Sequence, residues 1–320
     1  MRISVVPWRR PLSTLLATAL VAGLCTACAT GAPTVAASHE GVSGTPTLSS
    51  TLSITTPPVS TPSRLTTPTP ACAMPIAKFD CDMQARIVKV QAYIQTRPGT
   101  VGIVLRDRES GAIWSNDYAQ TMVWTASTIK LAMVVDLYTR QREGRLALTA
   151  QDRTQIQQML NSSDDEAADA LWFRYAGADH LAYNNSFPKY GLTALTPQRG
   201  YTNFFPYWGF QECTPADLDR LIQYVLTNLP VTERGYIIDQ LQHVAADQQW
   251  GIWAAGPALQ PGNKDGWSQE ASGWVLNSVG FAGAAQRYTL AIMNSLNGHG
   301  GYDDGTLTDS TVAKLLLTGR

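Results

Sequence analysis

The chain has no excess of either charge. Its 320 residues include 24 lysines and arginines against 25 aspartates and glutamates, which gives a formal net charge of −1 at pH 7. Proteins that bind nucleic acid neutralise its phosphates with clustered basic residues, so their sequences are rich in lysine and arginine. Because this chain has neither a basic excess nor an acidic tail, we expect no nucleic-acid partner.

Signatures of metal and cofactor chemistry are also missing. The chain has four histidines without metal-ligand spacing: His39, His180, His243 and His299. It contains neither a phosphate-binding loop nor a dinucleotide-binding fingerprint. No nucleophile elbow supports a Ser-His-Asp triad, although the histidines leave such a triad open. We therefore expect no cofactor and no metal ion.

The apolar run near the N-terminus, residues 12–24, is too short to cross a membrane, which takes roughly 20 apolar residues. A positively charged stretch precedes it: Arg2, Arg9 and Arg10. This order is typical of a secretory signal. Small residues before Cys28 resemble a bacterial lipobox, in which the cysteine carries the lipid. We predict a signal peptide over residues 1–28, lipidation at Cys28 and attachment to the outer face of the cell membrane. Cleavage near Ala29 and free secretion are the alternative.

Residues 29–72 have almost no charge and few large apolar side chains. They are mainly Ser, Thr, Pro, Ala and Gly, a composition that cannot bury enough surface to offset chain entropy. We predict a disordered tether here, followed by one folded domain over residues 73–320.

Two cysteines bracket a short loop at the start of the predicted domain. Export makes a disulfide permissible, so Cys72 and Cys81 could pair. Cys213 would then be unpaired, and we interpret it as a small buried residue rather than a reactive thiol.

The apolar pattern alternates between strand and helix periods along the domain. Turn residues and β-branched alternation predict a hairpin over residues 100–114. Further strands are predicted near the end of the chain: residues 262–267, 273–281 and 287–294. Helices are predicted at residues 82–97, 127–141, 152–160, 164–175, 215–228, 232–244 and 308–317. The fold class is therefore α/β, of the α+β type.

Three short segments contain residues suited to chemistry: Ser127–Lys130, Ser163–Asp165 and Lys264–Trp267. A serine hydroxyl is a weak nucleophile until a base takes its proton. At the start of a helix, residues i and i+3 lie on one face, so Lys130 is placed under Ser127. A lysine that burial and a neighbouring cation push toward its neutral form can act as that base.

Each segment also has a plainer interpretation. Ser127 could simply cap a helix, and Lys264 could be an ordinary surface lysine of a strand. Ser163 begins a capping box with Glu166, in which a serine and a glutamate three residues later satisfy two helix-terminal amides. A register of the second segment that begins at Ser162 is also open.

Taken in this order, the three segments resemble the motifs of the penicillin-recognising serine hydrolases, specifically the class A β-lactamase-like branch. The resemblance extends over nearly all of residues 73–320. It implies a β-lactamase-like fold, in which an antiparallel sheet built from both chain ends is flanked by helices and holds a central helical insert. It also implies the role of each residue: Ser127 as nucleophile, Lys130 as base, Ser163 as proton relay and Lys264 as positive charge toward the substrate.

The resemblance further assigns four residues to substrate binding: Asp165, Asp265, Gly266 and Trp267. The backbone N–H groups of Ser127 and Trp267 would form the oxyanion hole. Asp165 stands where the family usually has Asn, and Asp265 where it often has Thr or Ser. An ionised aspartate cannot donate a hydrogen bond and repels an anionic substrate. Both changes act against a β-lactam and suit a cationic or neutral ligand.

A third departure concerns release of the acyl group. Class A β-lactamases activate water with a glutamate in a loop after the second motif, whereas residues 190–211 contain no Asp or Glu here. Glu212 lies too close to the next helix start to match. The same stretch is aromatic, and its rings either line a substrate groove or pack the loop: Tyr201, Phe204, Phe205, Tyr207, Trp208 and Phe210.

These features predict an exported serine hydrolase that forms an acyl-enzyme and acts on an amide or ester, with cell-envelope components as candidate substrates. Two alternatives stay open. A catalytically silent domain could use the same cleft to bind envelope components or a partner protein, or the protein could be a slow class A-like β-lactamase. The intact serine–lysine pair favours the hydrolase, and the two aspartates and the missing glutamate favour the alternatives.

Overall fold

The computed structural model describes Cys72, residues 78–200 and residues 204–320. The predicted signal peptide, the lipidated Cys28 and the tether up to residue 71 lie outside the described residues. Within the described part of the chain, no helix is both long and apolar enough to cross a membrane.

Helices and strands follow one another in an order close to the predicted one. The helices of the described residues are α1 (Cys81–Ile94), α2 (Ile129–Arg142), α3 (Ala150–Asn161), α4 (Asp165–Tyr175), α5 (Ala182–Ser186), α6 (Pro215–Thr227), α7 (Val231–Gln242) and α8 (Tyr302–Leu317). The strands are β1 (Thr100–Asp107), β2 (Ala112–Ser115), β3 (Val123–Trp124), β4 (Thr196–Pro197), β5 (Gln211–Cys213), β6 (Gly262–Glu270), β7 (Gly273–Ala282) and β8 (Tyr288–Ser295).

The main sheet joins the two ends of the domain. Its five strands are antiparallel in the order β2-β1-β8-β7-β6, so β8 lies between β1 and β7. A second sheet has the order β3-β5-β4. Helices α2 to α7 fall between β2 and β6 in the chain, as the central insert. The predicted α+β architecture, with an antiparallel sheet built from both chain ends, is confirmed.

Each face of the main sheet carries its own apolar cluster. On β1, Ile103 and Leu105 pack with α1 and α8, whereas Val104 belongs to the cluster that contains α2, because successive strand residues point to opposite faces. Helix α2 is buried continuously from Ile129 to Arg140. A helix buried on all sides has little freedom to move, so it is a rigid support for residues at its N-terminal end.

The predicted boundaries are not all correct. The last helix begins at Tyr302 rather than at residue 308, although its first turns contain a glycine and two aspartates. That glycine, Gly305, packs closely on the sheet: an added Cβ would lie 2.2 Å from a methyl carbon of Leu276. Tertiary packing therefore outweighs the weak helix propensity of these residues.

Capping explains where the helix after β5 begins. Thr214 and Asp217 form a capping box, with Pro215 in the first turn, which confirms the start predicted from the same residues. The short elements β3, β4, β5 and α5 were not predicted. Elements of two to five residues carry too little periodicity to be recognised in sequence.

A disulfide bond joins Cys72 to Cys81, whose Cα atoms are 5.1 Å apart. The bond ties the first described residue to the first residue of α1. Cys213 is buried with a free thiol and contacts the sulfur of Met293 at 4.0 Å, in agreement with its interpretation as a small core residue.

Strand β6 passes directly beside the turn that precedes α2. That turn is the 3-10 helix Ala126–Thr128. A Cβ added to Gly266 would lie 2.7 Å from the amide nitrogens of both Ser127 and Thr128. Glycine is therefore required for this approach of two backbones.

We expect Cys72→Ser to lower the free energy of unfolding by about 2–3 kcal/mol, because the bond closes a short loop in the unfolded chain. Chemical denaturation with and without a reductant measures the change. Reductant should destabilise the unaltered protein by a similar amount and leave the Cys72→Ser variant unaffected. If the variant and the unaltered protein unfold at the same denaturant concentration, the bond contributes nothing.

We expect Gly266→Ala to destabilise the domain by about 1–3 kcal/mol, because the new methyl group meets backbone atoms that cannot move aside. Denaturant unfolding measures the loss. Gly235→Ala in α7 is the matched control, since a Cβ at Gly235 has no atom within 4 Å and alanine is the better helix former. Equal stability of the two variants would contradict the close approach of β6 to the Ser127 turn.

Candidate active site

Ser127 is half-buried on the turn before α2. Asn277 of β7 holds this turn: its Nδ2 donates to the carbonyl oxygen of Trp124 at 2.8 Å and to that of Thr125 at 3.2 Å. The hydroxyl of Thr128 donates to the Thr125 carbonyl at 2.6 Å. The Ser127 hydroxyl forms no hydrogen bond with any of the described residues, so it is available to a substrate.

Two residues beside the site have a left-handed backbone. Ala126 has a φ of 44° and Ser163 has a φ of 56°. Residues other than glycine adopt this region rarely, at a cost of about 1–2 kcal/mol. Such residues persist only where the surrounding structure holds them, and they are concentrated at functional sites. Both positions therefore point to the same part of the molecule.

Lys130 is fully buried in the first turn of α2, and its ammonium group has three partners. Its Nζ donates to the carbonyl oxygen of Ser163 at 2.6 Å and to Oδ1 of Asp165 at 2.5 Å. The ring of Trp208 lies 4.5 Å from Nζ. Burial lowers the pKa of Lys130, and the negative charge of Asp165 opposes that effect.

Ser163 lies immediately before α4 but does not cap it. The capping residue is Asp164, whose Oδ1 accepts from the amide of Ala167 at 2.8 Å. The capping box of Ser163 with Glu166 is therefore wrong. Ser162 is not an alternative for the site, because its hydroxyl donates to the carbonyl of Gln158 in the preceding helix at 3.1 Å.

Lys264 is buried on β6, the edge strand of the main sheet. Its Nζ donates to Oγ of Ser163 and to the carbonyl oxygen of Asp265, each at 2.8 Å. The interpretation as an ordinary surface lysine is therefore wrong. Burial, together with the positive charge of Lys130, lowers the pKa of Lys264 to about 7.

The structure thus brings the three motifs together on Ser163. Its carbonyl oxygen accepts from Lys130 and its hydroxyl accepts from Lys264. Ser163 itself is 9% exposed. A buried hydroxyl on a residue that contacts two lysines has the composition of a proton relay.

Asp265 lies elsewhere than expected. Its side chain is 1% exposed and lies next to Gly251 and Ser278, on the face of the sheet opposite to the Lys264 side chain. The backbone amide of Gly251 donates a hydrogen bond to the hydroxyl of Ser310 in α8. The carboxyl group of Asp265 therefore does not face the cleft, and the repulsion expected between it and an anionic substrate does not arise. Burial raises the pKa of Asp265 to about 8.

The other predicted binding residues lie at the same edge of the sheet. Gly266 contacts the Ser127 turn, as described above. Trp267 is half-buried and packs edge-on against Trp250 and Tyr302 at ring distances of 6.2 and 5.8 Å. The role of Ser127 and Trp267 in an oxyanion hole stays a prediction.

Two residues that contribute to the site were not singled out as site residues in the sequence, Asp169 and Asn277, and Trp208 was named only as one ring of the aromatic stretch. Oδ1 of Asp169 accepts from the hydroxyl of Tyr207 at 2.5 Å and from Nε1 of Trp208 at 2.7 Å, which holds the Trp208 ring over Lys130. Asn277 had a usable signal, because a polar side chain inside an apolar strand normally has a structural hydrogen bond.

Most rings of the aromatic stretch pack against other rings. Phe204 contacts Phe173 at 4.7 Å, and Phe210 contacts Trp124 at 5.7 Å. Tyr207 lies 5.4 Å from Trp208. Tyr201 lies outside the described residues. These contacts favour loop packing for the three rings, and the ring of Trp208 faces the motif residue Lys130.

Glu212 is the first acidic residue after this stretch, and it lies on β5 opposite Trp124. Burial and the negative charge of Glu270 raise its pKa. No group of three or more His, Cys, Asp or Glu side chains in the described ranges is arranged to hold a metal ion.

No protein-family model matches the chain. The chain is similar to the protein named "Putative lipoprotein LppW" of Mycobacterium tuberculosis and of Mycobacterium bovis. This chain and LppW are 27% identical over 238 residues, which cover 71% of this chain and 73% of LppW.

Solved structures of similar fold include two β-lactamases. The β-lactamase of Xanthomonas campestris has a TM-score of 0.60 at 16% identity and covers 74% of this chain and 97% of its own. The β-lactamase of Streptosporangium roseum has a TM-score of 0.60 at 15% identity, with coverage of 73% and 97%. The structure of PBP-A has a TM-score of 0.59 at 20% identity and covers 73% of this chain and 94% of its own. At these identities the likeness shows the fold alone, and the chain has the β-lactamase-like fold that its three motifs predicted.

Proposed function

We propose that the protein is an exported serine hydrolase in which Ser127 attacks the carbonyl carbon of an amide or ester and becomes acylated. The proposal rests chiefly on the contacts of Ser163, whose carbonyl oxygen accepts from Lys130 and whose hydroxyl accepts from Lys264. A helix cap and a surface lysine would not require three distant segments to meet in this way. Their meeting beside a serine with a free hydroxyl supports covalent catalysis.

The proposed reaction has two halves. Ser127 Oγ forms a bond to the carbonyl carbon while its proton passes to a lysine of the site, a role that the resemblance assigns to Lys130. Backbone N–H groups at Ser127 and Trp267 would stabilise the oxyanion. The bond to the amine or alcohol then breaks, and Ser163 relays a proton to that leaving group. Water finally hydrolyses the acyl-enzyme and releases a carboxylic acid.

The proposed substrate is an amide or ester of the cell envelope. LppW is named as a lipoprotein, and lipidation at Cys28 would hold this chain at the outer face of the membrane. At the site itself, the side chain of Asp165 is 74% exposed. Its negative charge suits a neutral or cationic ligand better than an anionic one.

Specific observations favour two further candidates. Lys130 donates to the carboxylate of Asp165 at 2.5 Å, and this contact stabilises its charged form, which cannot act as a base. That observation favours a catalytically silent domain that binds envelope components. The absence of Asp and Glu from residues 190–211 favours slow release of an acyl group, which fits a slow β-lactamase.

We expect a fluorophosphonate to add covalently to the protein, with the adduct at Ser127 and absent from Ser127→Ala, because the serine is activated by its neighbours. Intact-mass spectrometry followed by peptide mapping measures it. Ser162→Ala is the matched control, since the Ser162 hydroxyl donates to the carbonyl oxygen of Gln158 in the preceding helix. This variant should react at the rate of the unaltered protein.

A reporter penicillin in the same assay separates the candidates. A persistent penicillin adduct on Ser127 agrees with the missing acid, whereas rapid recovery of free protein identifies a β-lactamase. Absence of any adduct with both reagents contradicts the hydrolase and leaves the binding domain.

A further inference from the structure

The two lysines at Ser163 are both buried, but their surroundings differ. Lys130 contacts a carboxylate, a carbonyl oxygen and the face of an aromatic ring. Each of these groups stabilises an ammonium cation, and none can donate a proton to a neutral amine. For Lys130 to accept a proton from Ser127, it would first have to give up the charge that these three partners hold.

Lys264 has neither a carboxylate nor an aromatic ring among its direct contacts in the described part of the chain. Its partners are the Ser163 hydroxyl and the Asp265 backbone carbonyl, and it forms no ion pair with the described residues. A hydroxyl can reverse its hydrogen bond: it accepts from an ammonium group and donates to a neutral amine. The contact of 2.8 Å between Lys264 and Ser163 therefore suits either protonation state.

The charged groups around Lys264 come from four elements. Lys130 of α2 disfavours its cation, whereas Asp165 of α4, Asp247 of the turn at 246–248 and Asp265 of its own strand favour it. Burial is larger than any of these and lowers the pKa of Lys264 to about 7. Burial also raises the pKa of Asp265, so the negative charge that favours the Lys264 cation is itself disfavoured by burial.

We propose that Lys264, acting through the Ser163 hydroxyl, is the proton acceptor for Ser127, and that Asp165 keeps Lys130 as a fixed cation that positions Ser163. This assignment rests on the proposed function and changes one role within it. During acylation the Ser127 proton passes to Ser163 Oγ as the Ser163 proton passes to Lys264 Nζ, and the Ser127 Oγ–carbon bond forms. The same path returns one proton to the leaving amine or alcohol as its bond to the acyl carbon breaks.

Arginine replacements separate a base from a fixed cation. Arginine retains a positive charge and hydrogen-bond donors but is not deprotonated in proteins. We expect Lys264→Arg to slow fluorophosphonate addition at Ser127 by about 100-fold or more, the range for loss of a general base. Lys130→Arg should stay within about tenfold of the unaltered protein, because the positioning cation is kept.

The pH profile is a readout that a purely structural role would not change. A base works only when neutral, so the addition rate in the unaltered protein should fall as the pH decreases through about 7. Lys130→Arg should keep this decrease in rate at low pH, which is the acid limb of the profile. Lys264→Arg should lose it. If Lys130→Arg loses the limb while Lys264→Arg keeps it, the assignment is overturned and Lys130 is the base.

Asp165→Asn gives an independent prediction. The carboxylate favours the cation of both lysines, so its removal should shift the acid limb of the addition rate to lower pH. It should also release Lys130, so that Lys264→Arg is less damaging in the Asp165→Asn background than alone. Glu166→Gln is the matched control, because it removes a neighbouring carboxylate that forms no hydrogen bond or ion pair with either lysine. It should leave the acid limb in place. An unchanged limb in Asp165→Asn contradicts the assignment.

A direct titration covers the case in which an arginine variant does not fold. In protein labelled with [¹³C]lysine, the Cε resonance of Lys264 should titrate near pH 7 and at a lower pH than that of Lys130. The reverse order overturns the assignment without affecting the hydrolase proposal. Absence of a fluorophosphonate adduct at every pH overturns the hydrolase proposal and this assignment with it.

Discussion

Two lysine side chains share one serine in the interior of this protein, and the cost of burying both charges governs the rest of the site. A buried ammonium group loses its hydration, and two such groups near one another also repel. The partners are distributed unequally: Lys130 has Asp165 and the ring of Trp208, whereas Lys264 has neutral oxygen atoms. Burial lowers the pKa of both lysines, and the Asp165 carboxylate opposes that effect at Lys130 through a direct contact. On the assignment proposed above, Lys130 stays a cation and Lys264 becomes the neutral amine. Two neighbouring groups in different protonation states are what acid–base catalysis needs.

A site of this kind depends on a rigid scaffold, because hydrogen bonds of 2.5–2.8 Å are lost if the elements shift. The buried helix α2 supports Ser127 and Lys130. The edge strand β6 carries Lys264, and Gly266 lets that strand come into backbone contact with the Ser127 turn. Asn277 reaches from β7 to the same turn. Two of the non-glycine residues with a left-handed backbone, Ala126 and Ser163, lie where these elements meet, which is where the fold can hold them.

Fold and chemistry give separate information about this chain. The scaffold is shared with β-lactamases and with PBP-A at 15–20% identity, and a shared scaffold does not determine a reaction. The side chains around Ser163 carry the functional argument instead. Asp165 replaces an amide by a charge that contacts Lys130 directly. The side chain of Asp265 is buried, and its effect on the site is electrostatic, through Lys264.

The sequence by itself determined the features that depend on neighbours a few residues apart. The capping box at Thr214, the strand pattern at both ends of the domain and the spacing of Ser127 and Lys130 are local, and the structure contains them. The order of the three motifs also identified the fold. Only the tertiary structure decided which groups meet. Lys264 donates to Ser163 across 101 positions of the chain, and the Asp265 side chain is buried on the opposite face of the sheet from the Lys264 side chain. Burial and protonation depend on side chains from distant segments, and no local pattern records where those segments pack.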